Sequence, residues 1–134
     1  MKRAFSSSWK GSSQVRKQRK YRYNAPLHTR NSFLNAHLSK ELRAKYGTRS
    51  VSLRKGDEVS VMRGTFAKKK AKIASVDLRR GRVVLEGITR TKKDGSKTNA
   101  FFRPHVLSIV TLTLDDKRRM KSTHKEKHNA PHKI

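Results

Sequence analysis

The chain has 134 residues, room for one small domain with tails, and its 35 Lys and Arg against nine Asp and Glu leave a formal net charge of +26. A compact body with that charge repels itself unless a polyanion neutralises it, so nucleic acid leads as partner and an anionic membrane surface is the weaker option. Hydrophobic content of 33% allows only a small core, and the absence of cysteine excludes thiol catalysis, disulfides and Cys-based zinc sites.

Residues 1–25 contain no acid, and the first in the chain is Glu41. Serines and glycine lead into a basic cluster, Arg16-Lys17-Gln18-Arg19-Lys20-Tyr21-Arg22-Tyr23. So little apolar surface predicts an extended basic arm that orders on a phosphate-lined partner; fully extended it would reach roughly 80 Å. The Ser- and Arg/Lys-rich start, with Phe5 and Trp9, also has the composition of a mitochondrial transit peptide. No apolar run near Met1 suits a secretory signal, and none approaches the roughly 18 residues of a membrane span.

Residues 26–50 are expected to be a short helical segment packed on a β-domain. Asn24 is the expected N-cap, with Pro26 in the first turn and Leu27, Phe33, Leu34 and Leu38 as a partial apolar face. Ser39 should cap a second helix that Gly47 stops, with Leu38, Leu42 and Tyr46 on one stripe.

Residues 51–114 read as five short strands, which indicates a small closed or semi-closed barrel. Val59 and Val61 alternate with polar residues; Ile73 and Val76 mark the next strand; Val83 and Leu85 mark a third, closed by Glu86-Gly87. Asp94-Gly95 predicts a hairpin with a primed turn. The last strand should run from about Val106 to Leu114, with Val106, Val110, Leu112 and Leu114 on one face, while Leu107 and Ile109 suggest burial on both sides early in the strand. Residues 115–134 turn basic and polar again and are expected to be a disordered tail. His124, His128 and His132 have a helical metal-face spacing, but Pro131 would break that helix, and no metal is expected.

Lys55-Gly56-Asp57, the alternating valines and the later Val-rich strand ending in Glu86-Gly87 resemble a KOW module, a small SH3-like β-barrel of RNA-associated proteins. Lys20-Tyr21-Arg22-Tyr23-Asn24-Ala25-Pro26-Leu27-His28, the block from Leu38 to Ser50, the KOW stretch Leu53–Gly64 and Ile109–Leu114 follow in unbroken order. Together they resemble the universal large-subunit ribosomal protein family L twenty-four, in its archaeal and eukaryotic branch (L twenty-six in eukaryotes). The Asn-Ala-Pro and Ser-Lys-Glu-Leu-Arg blocks weigh against an organellar transit peptide, since the bacterial branch lacks them. The resemblance implies a mainly β, cytoplasmic, non-enzymatic protein without cofactor or small-molecule substrate. Its partners would be large-subunit rRNA, near the 5′ end, and neighbouring ribosomal proteins, with a role early in subunit assembly and a position near the nascent-chain exit.

Two departures from the family pattern bear on local geometry. The family writes Lys-Gly-x-x-Gly where this chain has Ala67-Lys68-Lys69-Lys70-Ala71, so a positive φ held at Ala71 would cost on the order of 1 kcal/mol relative to glycine. A family His-Pro is replaced by Arg103-Pro104.

Phosphate contacts release condensed counterions, and arginine forks two phosphate oxygens where lysine acts as a point charge. The RNA-binding candidates are therefore the cluster Arg16, Lys17, Arg19, Lys20, Tyr21, Arg22, Tyr23 and Asn24, then His28, Arg30, Arg49, Lys55 and Arg63. Lys68, Lys69, Lys70, Lys72, Arg79, Arg80, Arg90, Lys92, Lys93, Lys97 and Arg103 complete the set. Tyr21 and Tyr23 have two readings, stacking on unpaired bases or folding back on the barrel; Phe66 caps the barrel end or stacks. A KOW-type transcription factor and a chromatin-compacting protein are the competing binding classes. The nine acids form no nucleophile–base constellation, and Asp57 reads as a cap for backbone N–H groups in its turn.

Overall fold

The computed structural model describes residues 4–116 and 119. Among these residues, helices α1 (Val15–Asn24), α2 (Leu27–Phe33) and α3 (Lys40–Tyr46) accompany seven strands. These are β1 (Asn35–Leu38), β2 (Ser50–Ser52), β3 (Glu58–Val61), β4 (Lys70–Asp77), β5 (Arg82–Thr91), β6 (Lys97–Phe102) and β7 (Leu107–Thr111). They pair in the order β2-β1-β7-β3-β4-β5-β6, a mainly β fold consistent with a small barrel-like sheet. Among the described residues no helix is long and apolar enough to cross a membrane.

The N-terminal arm is not extended in this structure. A 3-10 turn (Ser7–Gly11) precedes α1, and the Gln18 amide donates to the carbonyls of Trp9, Lys10 and Ser12, tying the turn to the helix. Tyr21 supplies the apolar anchor that composition alone concealed. It is buried, its ring stacked on Phe5 at 5.4 Å and edge-on to Phe33 at 5.9 Å. Asn24 ends α1 rather than capping α2, and its amide reaches back to the Ala4 carbonyl.

The expected first helix stops at Phe33, and a strand replaces its last turn. Leu34, Ala36 and Leu38 recur every second residue and all enter the core, whereas Leu27 and Phe33 are exposed. β1 pairs antiparallel with β2 (Ala36↔Val51) and parallel with β7 (Leu38↔Ile109), so ladders on both edges fix it. α3 follows the sequence expectation: the Ser39 hydroxyl accepts from the Leu42 amide, and Gly47 closes the helix at φ +63°. Leu42 packs against the core, but Leu38 reaches it from the strand.

Val59 and Val61 are buried as their alternation predicts, between Ile109 and Leu107 of β7 on one side and β4 on the other. β5 runs on past Glu86-Gly87 instead of ending there. Gly87, at φ +71°, lies where the pairing with β6 shifts register, and the buried positions change parity from Val83 and Leu85 to Ile88. That is a bulge's effect, turning the next side chain inward while the strand bends. In β7 the buried residues are Leu107 and Ile109, while Val106 and Val110 are only partly covered. The strand ends at Thr111, short of Leu114, which is exposed.

The β5–β6 hairpin forms at the expected place with a different turn. Gly95 donates to the Lys92 carbonyl, Lys92 donates to Ser96, and only Gly95 of the loop has positive φ. This is a type I turn followed by a left-handed glycine, the three-residue solution that also matches strand twist. Asp94 accepts from the Ser96 hydroxyl and amide, which hold its carboxyl below the usual carboxylate range.

The strained residue of the β3–β4 loop is Lys68, at φ +69°, not Ala71. Ala71 lies in β4 opposite Val59. Lys68 occupies the position of the first family glycine, and its amide donates to the Val61 carbonyl at 2.8 Å.

Asp57 is fully buried and accepts from the Arg54 amide at 2.9 Å and the Thr113 amide at 3.0 Å, as a turn cap should. It also holds Arg119, which composition had assigned to a disordered tail. The guanidinium forks onto both carboxylate oxygens and donates to the carbonyls of Thr113 and Ser52. Residues 117, 118 and 120–134 of that tail, His124, His128 and His132 among them, lie outside the described residues.

Arg119→Ala would leave a buried carboxylate without its counter-charge, a loss of about 3–5 kcal/mol. Urea unfolding of the full chain should read it, with Arg119→Lys recovering only part because one ammonium cannot fork. Asp57→Ala with Arg119→Ala should cost less than the two single changes added together. Lys68→Gly should raise stability by up to about 1 kcal/mol in the same assay, since glycine relieves the positive φ at some cost in unfolded-chain entropy.

Candidate nucleic-acid interface

The basic side chains gather because α1 lies beside the β4–β5 turn. Arg30 is the clasp: its guanidinium donates to the carbonyls of Ala25 (2.8 Å), Arg79 (2.9 Å) and Tyr23. One arginine thus ties the end of α1 to a turn far away in sequence. These bonds use the guanidinium fork for the protein's own backbone. A groove of about 660 Å³ results, lined by Arg19, Lys20, Arg22, Tyr23, Asn24, Arg30 and Arg79. Tyr23 is 80% exposed in it, so the two tyrosines divide: Tyr21 folds inward and Tyr23 offers its ring to solvent.

Arg22 also lines a second groove, of about 600 Å³, with Lys10, Arg80, Arg103 and His105. Arg103 in turn lines a third, of about 720 Å³, with Arg63, Phe66, Arg90 and Phe101. Arg22 is common to the first two and Arg103 to the second and third, so the three grooves adjoin as a trough across α1, the β4–β5 turn, the end of β6 and the β3–β4 loop. None of the residues lining it is acidic. Asp77 lies 4.0 Å from Arg80, and elsewhere along the trough the local field favours an anion.

The remaining candidates stand outside the trough. Arg16 and Lys17 are exposed on α1, and His28 is exposed on α2. Arg49 is exposed just before β2. Lys68, Lys69, Lys70 and Lys72 form an exposed run through the β3–β4 loop into β4, with the Lys69 ammonium 5.4 Å from the Phe66 ring centroid. Lys92, Lys93 and Lys97 form the exposed tip of the β5–β6 hairpin. Lys55 lines a separate groove with Asp115 and Asp116, where Arg54 pairs with Asp116 at 2.9 Å. Phosphate is least welcome there.

Sequence reasoning missed Phe101, His105 and Lys10 in the trough. Phe101 carried a readable signal, since one of two adjacent phenylalanines in a strand must point outward. Phe66 is partly buried, edge-on to Phe102 with ring centroids 5.8 Å apart, as an end cap would be.

The sequence model for the ribosomal proteins called L26 in eukaryotes and L24 in archaea matches residues 12–126. Among similar proteins, a large ribosomal subunit protein uL24 of Methanocella arvoryzae is 46% identical over 111 residues, covering 83% of this chain and 89% of the relative. The uL24 of Methanoculleus marisnigri is 47% identical over 108 residues, 81% of this chain and 89% of the relative. That of Korarchaeum cryptofilum is 45% identical over 103 residues, 77% and 79%. On the extent of that match, and with the mainly β fold the family resemblance implies, the chain belongs to this family of eukaryotic L26 and archaeal L24 ribosomal proteins, a structural and non-enzymatic family.

Proposed function

We propose that this chain is a structural constituent of the large ribosomal subunit in the cytoplasm, held there by large-subunit rRNA. The observation that carries the reading is the acid-free trough through Arg22 and Arg103. A surface of that sign and length suits a polyanionic backbone rather than a small ligand. The family relationship supports the subunit, and the relatives' own names are those of large-subunit proteins.

The β-domain is read as an SH3-like KOW barrel, a rigid face against RNA. The trough residues Arg19, Lys20, Arg22, Arg79, Arg80, Arg90 and Arg103 hold the backbone. The lysines of the β3–β4 loop and the β5–β6 tip add charge at either end, and Arg30 positions the trough. The family resemblance directs the rRNA address to the 5′ domain, with a role early in subunit assembly, a position near the polypeptide exit, and ribosomal proteins as neighbours.

Sedimentation of a cell lysate through sucrose gradients should place the chain with the large subunit before and after a high-salt wash. Migration with nucleoid or polymerase would overturn the reading in favour of a chromatin or transcription factor. With purified chain and transcribed large-subunit rRNA, about ten phosphate contacts predict a log–log salt slope between about −7 and −9. A slope shallower than about −2 would not support a trough of this length.

A further inference from the structure

We propose that the groove lined by Phe101 is a nucleobase site, in which one unpaired rRNA base stacks on Phe101 while Arg63, Arg90 and Arg103 hold the phosphates on either side of it. This rests on the reading that the chain binds RNA, and adds to it a contact with a base rather than with backbone.

The sequence of β6 sets the geometry. Strand alternation turns Phe102 into the core, 8% exposed, and leaves Phe101 outside, 58% exposed. A lone exposed apolar residue is ordinary on a protein surface. Phe101 differs through what surrounds it. Its groove, about 720 Å³, has the size of a small-molecule site. Three arginines line it from the β3–β4 loop, from β5 and from the residue after β6. No acid is among the described residues that line it, so a cationic anchor from a protein partner has no counter-charge there.

A nucleotide matches every part of this surface. Its base is a flat ring that stacks on an aromatic face, and its phosphates are bidentate acceptors for guanidinium. Thr98 and Asn99 line the same groove and carry hydroxyl and amide groups able to meet a base edge. The Arg82 guanidinium lies over the Phe101 ring, 5.8 Å from its centroid, and is not among the residues lining the groove. Phe66, wedged against Phe102, forms part of the wall. Through Arg103 the groove continues into the rest of the trough, so one strand of RNA can follow the cations and place a base here.

The test uses the full-length chain and transcribed large-subunit rRNA carrying 4-thiouridine. Phe101→Leu keeps an apolar side chain at an exposed position and removes only the aromatic face. Its affinity for the rRNA should fall about five- to hundred-fold, with an unchanged salt slope and an unchanged unfolding midpoint. Phe101→Trp should bind as tightly as the parent. Arg90→Gln should instead make the salt slope shallower by about 0.7–0.9. Photocrosslinking followed by mass spectrometry should place a nucleotide on the β6 peptide. Affinity of Phe101→Leu within twofold of the parent overturns the base site, as does equal loss in the leucine and tryptophan variants. The same holds if Phe101→Leu binds RNA normally but loses a neighbouring ribosomal protein in assembled subunits, which would make the groove a protein contact. If the parent chain itself fails to bind rRNA, both this inference and the proposed function fall; if it binds with the full salt slope and Phe101→Leu matches it, only the base site falls.

Discussion

A carboxylate sealed inside a strongly cationic protein is the constraint on which this fold turns. Asp57 has no access to solvent, so its charge must be met by donors within the chain. Backbone amides of Arg54 and Thr113 meet part of it, and the Arg119 fork meets the rest. The same guanidinium bonds the carbonyls of Ser52 and Thr113. One ion pair therefore joins the end of β2, the turn before β3, the chain after β7 and a residue of the C-terminal segment. A buried pair of this kind stabilises little compared with a well-packed apolar substitute, but losing one partner is costly. Its bonds hold the end of β2 and the chain after β7 against the same turn.

Four other acids are placed by a related logic. Asp77 accepts from the Arg80 amide, Asp94 from Ser96, Glu58 from the Thr111 hydroxyl, and Asp116 pairs with Arg54. Each shapes a turn or steadies a strand, and none lines the trough. The fold thus separates its charges. Carboxylates serve local geometry, and among the described residues the arginines lining the trough, Arg80 beside Asp77 apart, meet no carboxylate. Self-repulsion in such a protein would fall wherever an anion approached the grooves.

Arg30 shows how structure and binding share one residue type. Its fork looks like a phosphate ligand in sequence, yet it grips three backbone carbonyls and sets α1 against the β4–β5 turn. The cations around it depend on that grip for their spacing. Lys68 carries a related tension, since a charged side chain stands where glycine would relax the backbone. Strain retained at a loop tip is consistent with a charge placed there for a ligand.

The amino-acid sequence by itself determined the strongly basic character, the mainly β class, the caps of α3, the valine face of β3, the position of the β5–β6 hairpin and the family. These follow from short-range periodicity, turn chemistry and motif order, which do not need the rest of the fold. Tertiary structure alone decided that Ala36 and Leu38 join a sheet, because that strand exists only between β2 and β7. It decided that the bulge at Gly87 carries β5 onward and that Tyr21 folds inward on Phe5 and Phe33. It also decided which of many cations converge, and that Arg119 returns to neutralise Asp57. Contacts between residues so far apart leave no periodic trace in the chain, and their energies are settled only when distant segments compete for the same buried space.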